Sequence, residues 1–171
     1  MLAKTLGLMM LVSGCSGAGL VMASTYTARG RELADCRNGL ALLETEICFF
    51  ARPLIGALEA ASRQSRGVAR VLFAEAARHL GEGLPAAAAW ESAVRRAVEC
   101  SSLSEADAAA LLGLAPLLGN TPVGEQRRHI RGVAERLGAQ EAEARDRQSR
   151  EGRLWGYAGV LGGLALAAIL L

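Results

Sequence analysis

From Leu33 the apolar positions run Leu33, Cys36, Leu40, Leu43, Ile47, Phe50 and Leu54, alternating steps of three and four without a slip. That spacing draws one narrow stripe along a helix. Pro53 sets its limit, ending this helix or starting the next, because the residue before a proline avoids the α region. Residues 54–63 read as a short helix, and 67–80 as another with Val68, Val71, Leu72 and Leu80 on one side, closed by Gly81-Glu82-Gly83. Pro85 suits the first turn of a helix that runs to about Glu99 and carries Trp90, Val94 and Val98. Ser104 with Asp107 three positions on is an N-terminal cap for a helix over 105–118, and Gly119-Asn120-Thr121-Pro122 is a turn. After Val123 no strong breaker appears; Ile130, Val133 and Leu137 form a stripe, and 141–153 turns almost wholly polar. Six helices joined by short turns predict an all-α, antiparallel helical bundle.

The two ends follow another pattern. Every charged side chain except Lys4 lies between Arg29 and Arg153. The segments from Thr5 to about Ala28 and from Leu154 to Leu171 are long enough to cross the roughly 30 Å hydrocarbon layer as helices. The expected organisation is a transmembrane helix over 1–28, a helical-bundle domain over 29–153, and a second transmembrane helix over 154–171. At the N-terminus, Val12-Ser13-Gly14-Cys15 also looks like a bacterial lipobox, which would make the chain a lipoprotein tethered at Cys15. The apolar sequence continuing through Gly17–Ala23 favours a retained span. Gly152, Gly156, Gly159 and Gly163 share one face of the second segment, a surface on which membrane helices approach closely.

Arg29, Arg31 and Arg37 follow the first segment, and Arg145, Arg147, Arg150 and Arg153 precede the second. As a membrane-proximal basic face they place the domain in the cytoplasm by the positive-inside rule, within reach of anionic lipid; otherwise they are an ordinary solvated helix face. Composition agrees with helix: aromatics are only 4%, and Ala, Leu, Glu and Arg dominate the middle. The net charge of +2 is too small to argue for nucleic acid.

No P-loop, GxSxG, HExxH or GxGxxG occurs. His79 and His129 fall on different helices, and Cys36, Cys48 and Cys100 sit on apolar stripes or helix ends, where a thiol acts as a small hydrophobe. No cofactor and no metal is expected, although a small membrane-bound enzyme using these thiols or a metal is the rival reading. Neither segment has an ionisable residue inside it, which argues against a self-contained transporter. Glu44/Glu46 and Glu141/Glu143 read as charged-face residues, not paired carboxylates.

The layout and several stretches resemble one known family. They are Leu40-Ala-Leu-Leu-Glu-Thr-Glu-Ile47 with Arg52-Pro53-Leu54, Leu80-Gly-Glu-Gly83 with Ala89-Trp90, Leu117-Leu118-Gly119, Gln126–Ile130, Ala144–Gln148 and Gly159–Gly163. In order and spacing they resemble the stage III sporulation protein AB family over nearly the whole chain. Asn120-Thr121-Pro122 departs from it, since members often carry an acid there. The resemblance implies a bundle similar to the cytoplasmic domains of the platform protein of type II secretion and type IV pilus systems. It implies a part in the channel between mother cell and forespore, in the mother-cell membrane, beside other stage III sporulation A proteins that include the ATPase-like protein AA. An oligomer is compatible with that setting. Glu44, Glu46, Trp90, Arg127, Arg128 and His129 are the candidates for docking a partner or supporting the docking surface.

Overall fold

The computed structural model describes residues 28–119 and 122–170, with side-chain surroundings given as far as Arg147. Among these residues the chain is all helical. The elements are α1 (28–48), α2 (Leu54–Gln64), α3 (Gly67–Gly81), α4 (Ala86–Glu99), α5 (Glu105–Leu112), a 3-10 turn (Ala115–Leu117) and α6 (Val123–Leu170). Arg29–Ala142 forms one compact unit. Among the described residues no helix is long and apolar enough to cross a membrane. The segment 1–28 lies outside them but for Ala28, with Cys15 and its lipobox. The segment 154–171 is described only as helical backbone, to Leu170, so the glycine face at Gly152, Gly156, Gly159 and Gly163 has no described surroundings.

The α1 stripe is buried from Leu33 through Cys36, Leu40 and Leu43 to Ile47. It stops there, short of the predicted Phe50. The helix ends at residue 48, Ala51 takes the left-handed conformation (φ 48°), and the Arg52 N–H returns to the Glu46 carbonyl. Phe49 and Phe50 are thereby turned out to solvent. An alanine in that region is strained by roughly 1–2 kcal/mol, which the turn geometry must offset.

Helix α3 packs against α2 on one side and α4 on the other. The facing surfaces are largely alanine: Ala57, Ala60 and Ala61 on α2, Ala69, Ala76 and Ala77 on α3, Ala89, Ala93 and Ala97 on α4. Small side chains let the backbones approach, and Phe73 and Trp90 fill the remaining space, their rings 6.0 Å apart. Val71, expected inside, is 37% exposed, and Phe73 takes the interior position instead. Gly39 on α1 lies directly under the Phe73 ring, where any β-carbon would overlap it.

The predicted helix over 105–118 is two pieces. Helix α5 ends at Leu112, and Pro116 lies inside the 3-10 turn, because proline has no N–H with which to continue an α-helical ladder. Helix α6 buries Gln126, Ile130, Val133, Leu137 and Glu141 along one side.

Gly39→Ala and Gly132→Ala should therefore have opposite effects on unfolding by denaturant. The first overpacks the Phe73 pocket, with an expected loss of about 2 kcal/mol. The second places a methyl group in open space on a helix and should raise stability by roughly 0.8–1 kcal/mol. Equal midpoints for the two variants would contradict the α1–α3 packing described here.

Candidate functional site

One cluster of buried polar chemistry lies where α1 begins, α5 begins and α6 leaves the compact unit. Ser104 caps α5: its hydroxyl accepts from the Asp107 N–H at 3.3 Å, while Asp107 Oδ2 accepts from the Ser104 N–H at 2.8 Å. This is the reciprocal capping box that the Ser104/Asp107 spacing predicted. The carboxylate does more. Arg29 donates Nε to Oδ2 at 2.7 Å and Nη2 to Oδ1 at 2.8 Å, with Nη2 also reaching the Ser104 hydroxyl at 3.2 Å. Asp107 is wholly buried and the Arg29 side chain 17% exposed. Burial pushes the Asp107 carboxyl up, but the Arg29 fork and the Ser104 bonds outweigh it and hold the group below its ordinary 3.8.

Two neighbouring contacts extend this knot. Glu32 on α1 accepts from the Ser102 N–H at 2.8 Å, and Gln140 on α6 donates to the Ala106 carbonyl at 3.2 Å. Burial raises the Glu32 pKa, with the Ser102 N–H opposing and Asp35 adding to it. Cys36, one turn along α1, is pushed up to about 12 by burial and by Asp35, Glu32 and Asp107. A thiol so held stays protonated at neutral pH and is a poor nucleophile.

The remaining predicted site residues divide by burial. Trp90 lies in the core and donates Nε1 to the Leu111 carbonyl at 2.7 Å. Glu46, expected on a charged face, is buried; it accepts from Gln64 Nε2 at 3.1 Å and has Arg52 Nε at 3.2 Å. Neither side chain reaches the surface. Glu44 is near the surface, its Oε1 2.9 Å from Arg131 Nε and 3.5 Å from Arg127 Nε. Arg127, Arg128 and His129 are exposed on the first turns of α6.

The arginines of the expected basic face have these surroundings. Arg29 is turned inward on Asp107, and Arg37 lies 3.5 Å from the buried Glu141, which the sequence had assigned to a polar face. Arg31 and Arg145 are exposed, Arg147 pairs with Glu143 at 2.5 Å, and the side chains of Arg150 and Arg153 lie outside the described residues. His79 has carboxylates beside it that periodicity did not reveal. Glu82 is 3.3 Å from Nδ1 and Glu75 3.7 Å from Nε2, with Arg78 bridging both acids. Its spacing from them, i−4 and i+3 on one helix, was the available signal. Among the described residues no three His, Cys, Asp or Glu side chains are grouped to hold a metal ion.

These contacts define a class: an all-helical bundle whose buried charges tie one helix to another. The family follows from comparison. The family model for stage III sporulation protein AB matches residues 4–171, and the chain belongs to that family. It is 29% identical over 169 residues to the stage III sporulation protein AB of Bacillus subtilis (strain 168), covering 98% of this chain and 99% of that one. A solved structure of a stage III sporulation protein AB superposes with a TM-score of 0.66 at 27% identity, covering 72% of this chain and 98% of its own. Membership carries a role in sporulation.

Asp107→Asn should cost about 3 kcal/mol at neutral pH, since it removes the buried carboxylate onto which the Arg29 fork is directed. The native Asp107 pKa is depressed, so its stabilisation is complete above 3.8 and is lost as pH falls further through the native value. Urea unfolding of wild type and variant from pH 7 to pH 2 should show a gap that closes below 3.8. Glu32, with its raised pKa, has the opposite dependence but is common to both proteins and cancels in the difference. A gap constant down to pH 2 would rule out the ion pair as the cause.

Proposed function

We propose that this chain is a non-enzymatic assembly component of the secretion-like channel between mother cell and forespore. Its apolar segments 1–28 and 154–171 anchor it in the mother-cell membrane around the forespore. One observation carries the reading. The compact unit begins at Arg29 and closes at Ala142, and both lie at the same end of the antiparallel α1/α6 pair, where Arg37 meets Glu141. In the sequence the apolar segments lie beyond those two boundaries. The opposite end, where Cys48 of α1 meets Val123 of α6, is left for a partner.

The chemistry of the body supports an assembly role over the thiol-enzyme rival. Its interior carboxylates Asp107, Glu141 and Glu46 face Arg29, Arg37 and Arg52, and the Cys36 thiol is buried and protonated. On this reading the body is cytoplasmic, its partners are the other stage III sporulation A proteins including the ATPase-like protein AA, and the exposed Arg31 and Arg145 lie near lipid headgroups. Trp90 and Glu46 support the docking surface from within, while Glu44, Arg127, Arg128 and His129 lie on or near it.

Reporter fusions test the topology. Cytoplasm-active reporters should work at residue 90 and fail at the C-terminus, with periplasm-active reporters giving the reverse. A periplasm-active reporter at residue 90, or palmitate incorporation abolished by Cys15→Ser, would sink the doubly anchored reading in favour of a lipoprotein.

A further inference from the structure

The start of α5 is held from two sides. At the beginning of α1 the Arg29 fork closes on Asp107, and Glu32 accepts from the Ser102 N–H. Near the end of the compact unit, Gln140 on α6 donates Nε2 to the Ala106 carbonyl, and Glu141 faces Arg37 of α1 at 3.5 Å. Segment 102–107 thus bridges the helix on which the chain enters the unit and the helix on which it leaves. The two limbs of this bridge differ in kind.

The α1 limb is ionic and short. Its two arginine bonds measure 2.7 and 2.8 Å, and Leu33 and Cys36 in the following turns are wholly buried. Hydrogen bonds with an ionised partner are roughly twice as strong as neutral ones, and parting this pair would strand the buried Asp107 carboxylate. The α6 limb is weaker. Its bond to Ala106 is neutral and 3.2 Å long, and among the described residues Gln140 Oε1 is buried with no hydrogen-bond partner. Seating this amide satisfies one of its ends and leaves the other without water or protein. Leu137 is the last apolar residue that α6 buries within the compact unit; one turn on, the inward position is Glu141, 4% exposed. The Arg37 side chain that faces it is 46% exposed. A carboxylate in such a seat regains its hydration when the helix moves away, whereas an apolar side chain there would resist the move.

We propose that the departure of α6 is a releasable clasp. The Gln140 and Glu141 contacts let go of α5 and α1 together, Leu137 serves as the pivot, and the Arg29–Asp107 contact keeps α1 seated throughout. Helix α6 runs unbroken past Ala142, so a force on the chain beyond that point reaches these contacts first. The clasp rests on the anchoring reading and gives the two ends of the compact unit different duties. The first apolar segment leaves from a fixed point, the second from a movable one.

The test uses the full-length chain in detergent, its cysteines left in place, with spin labels attached through a ketone-bearing amino acid. Position 109 on α5 is paired with 31 on α1 or with 139 on α6, all three being exposed. Pulsed dipolar spectroscopy should give one narrow distance for 31–109, and for 109–139 a main distance with a minor longer one. Arg37→Gln should raise the share of the longer distance about fivefold, as for an ion pair with one exposed member. Glu141→Leu should remove it by extending the apolar seat. Both variants should leave 31–109 unchanged. Gly39→Ala, which destabilises the bundle elsewhere, should leave 109–139 as in wild type, so that general loss of stability is told apart from release. A single 109–139 distance in both wild type and Arg37→Gln would overturn the clasp. So would an equal longer component in 31–109, or an equal response to Gly39→Ala. If the residue 90 and C-terminal reporters behave as expected and the longer distance is absent, the clasp falls alone. If the reporters fail, the anchoring reading falls, whatever the two distances do.

Discussion

The bidentate contact between Arg29 and Asp107 is the constraint on which the rest of the bundle depends. Seventy-eight residues apart in sequence, the two side chains fix where α1 starts relative to α5. A buried carboxylate is tolerable only when its lone pairs are filled, and here two come from the arginine and one from the capped backbone. The same carboxylate therefore serves as helix cap and interhelical tie. Glu32 on the Ser102 N–H and Gln140 on the Ala106 carbonyl bring the flanking chain and α6 to the same place. Apolar packing alone would let α1 slide along its groove by a turn, because Leu33, Leu40 and Leu43 differ little from one another. A directional polar knot at one end removes that freedom.

What the sequence made legible follows the range of each interaction. The α1 stripe was readable because its period is local, and the Ser104 cap because its partner is three residues away. The arginine on the other side of Asp107 was not, since nothing at residue 29 signals residue 107. Arg29 therefore read as a surface cation. Glu141 read as a solvated charge for the same reason, its partner Arg37 being reached through tertiary packing; Glu46 did so because the turn that brings Arg52 back to it depends on the unexpected conformation of Ala51. The alanine faces of α2, α3 and α4 were obscure because alanine is equally at home inside and out. Only packing against Phe73 and Trp90 shows which alanines are core. The stripe failed at Phe50 because Ala51 adopts a conformation that local preference opposes.

The distribution of function in the molecule follows from where its polar groups are committed. Near the end where the chain enters and leaves, charge is turned inward to fix helix positions. At the other end Glu46 and Gln126 are also buried, but helix termini, exposed rings and exposed arginines remain. A body built this way separates the task of holding its own shape from that of meeting another protein. Substitutions at the first end then act through stability, and those at the second through association. That separation suits the assembly role proposed above for this member of a sporulation family.

The buried Cys36 gives the protein an internal clock. Its thiol lies under α1 with no exposed surface and stays protonated near neutrality, whereas Cys100 stands in solvent. A thiolate-selective reagent will mark Cys100 at once and Cys36 only during the moments when α1 lifts from its seat. The rate of the slow modification then counts how often the first helix opens. Any neighbour that clamps the bundle shut should slow that count without touching the cysteine.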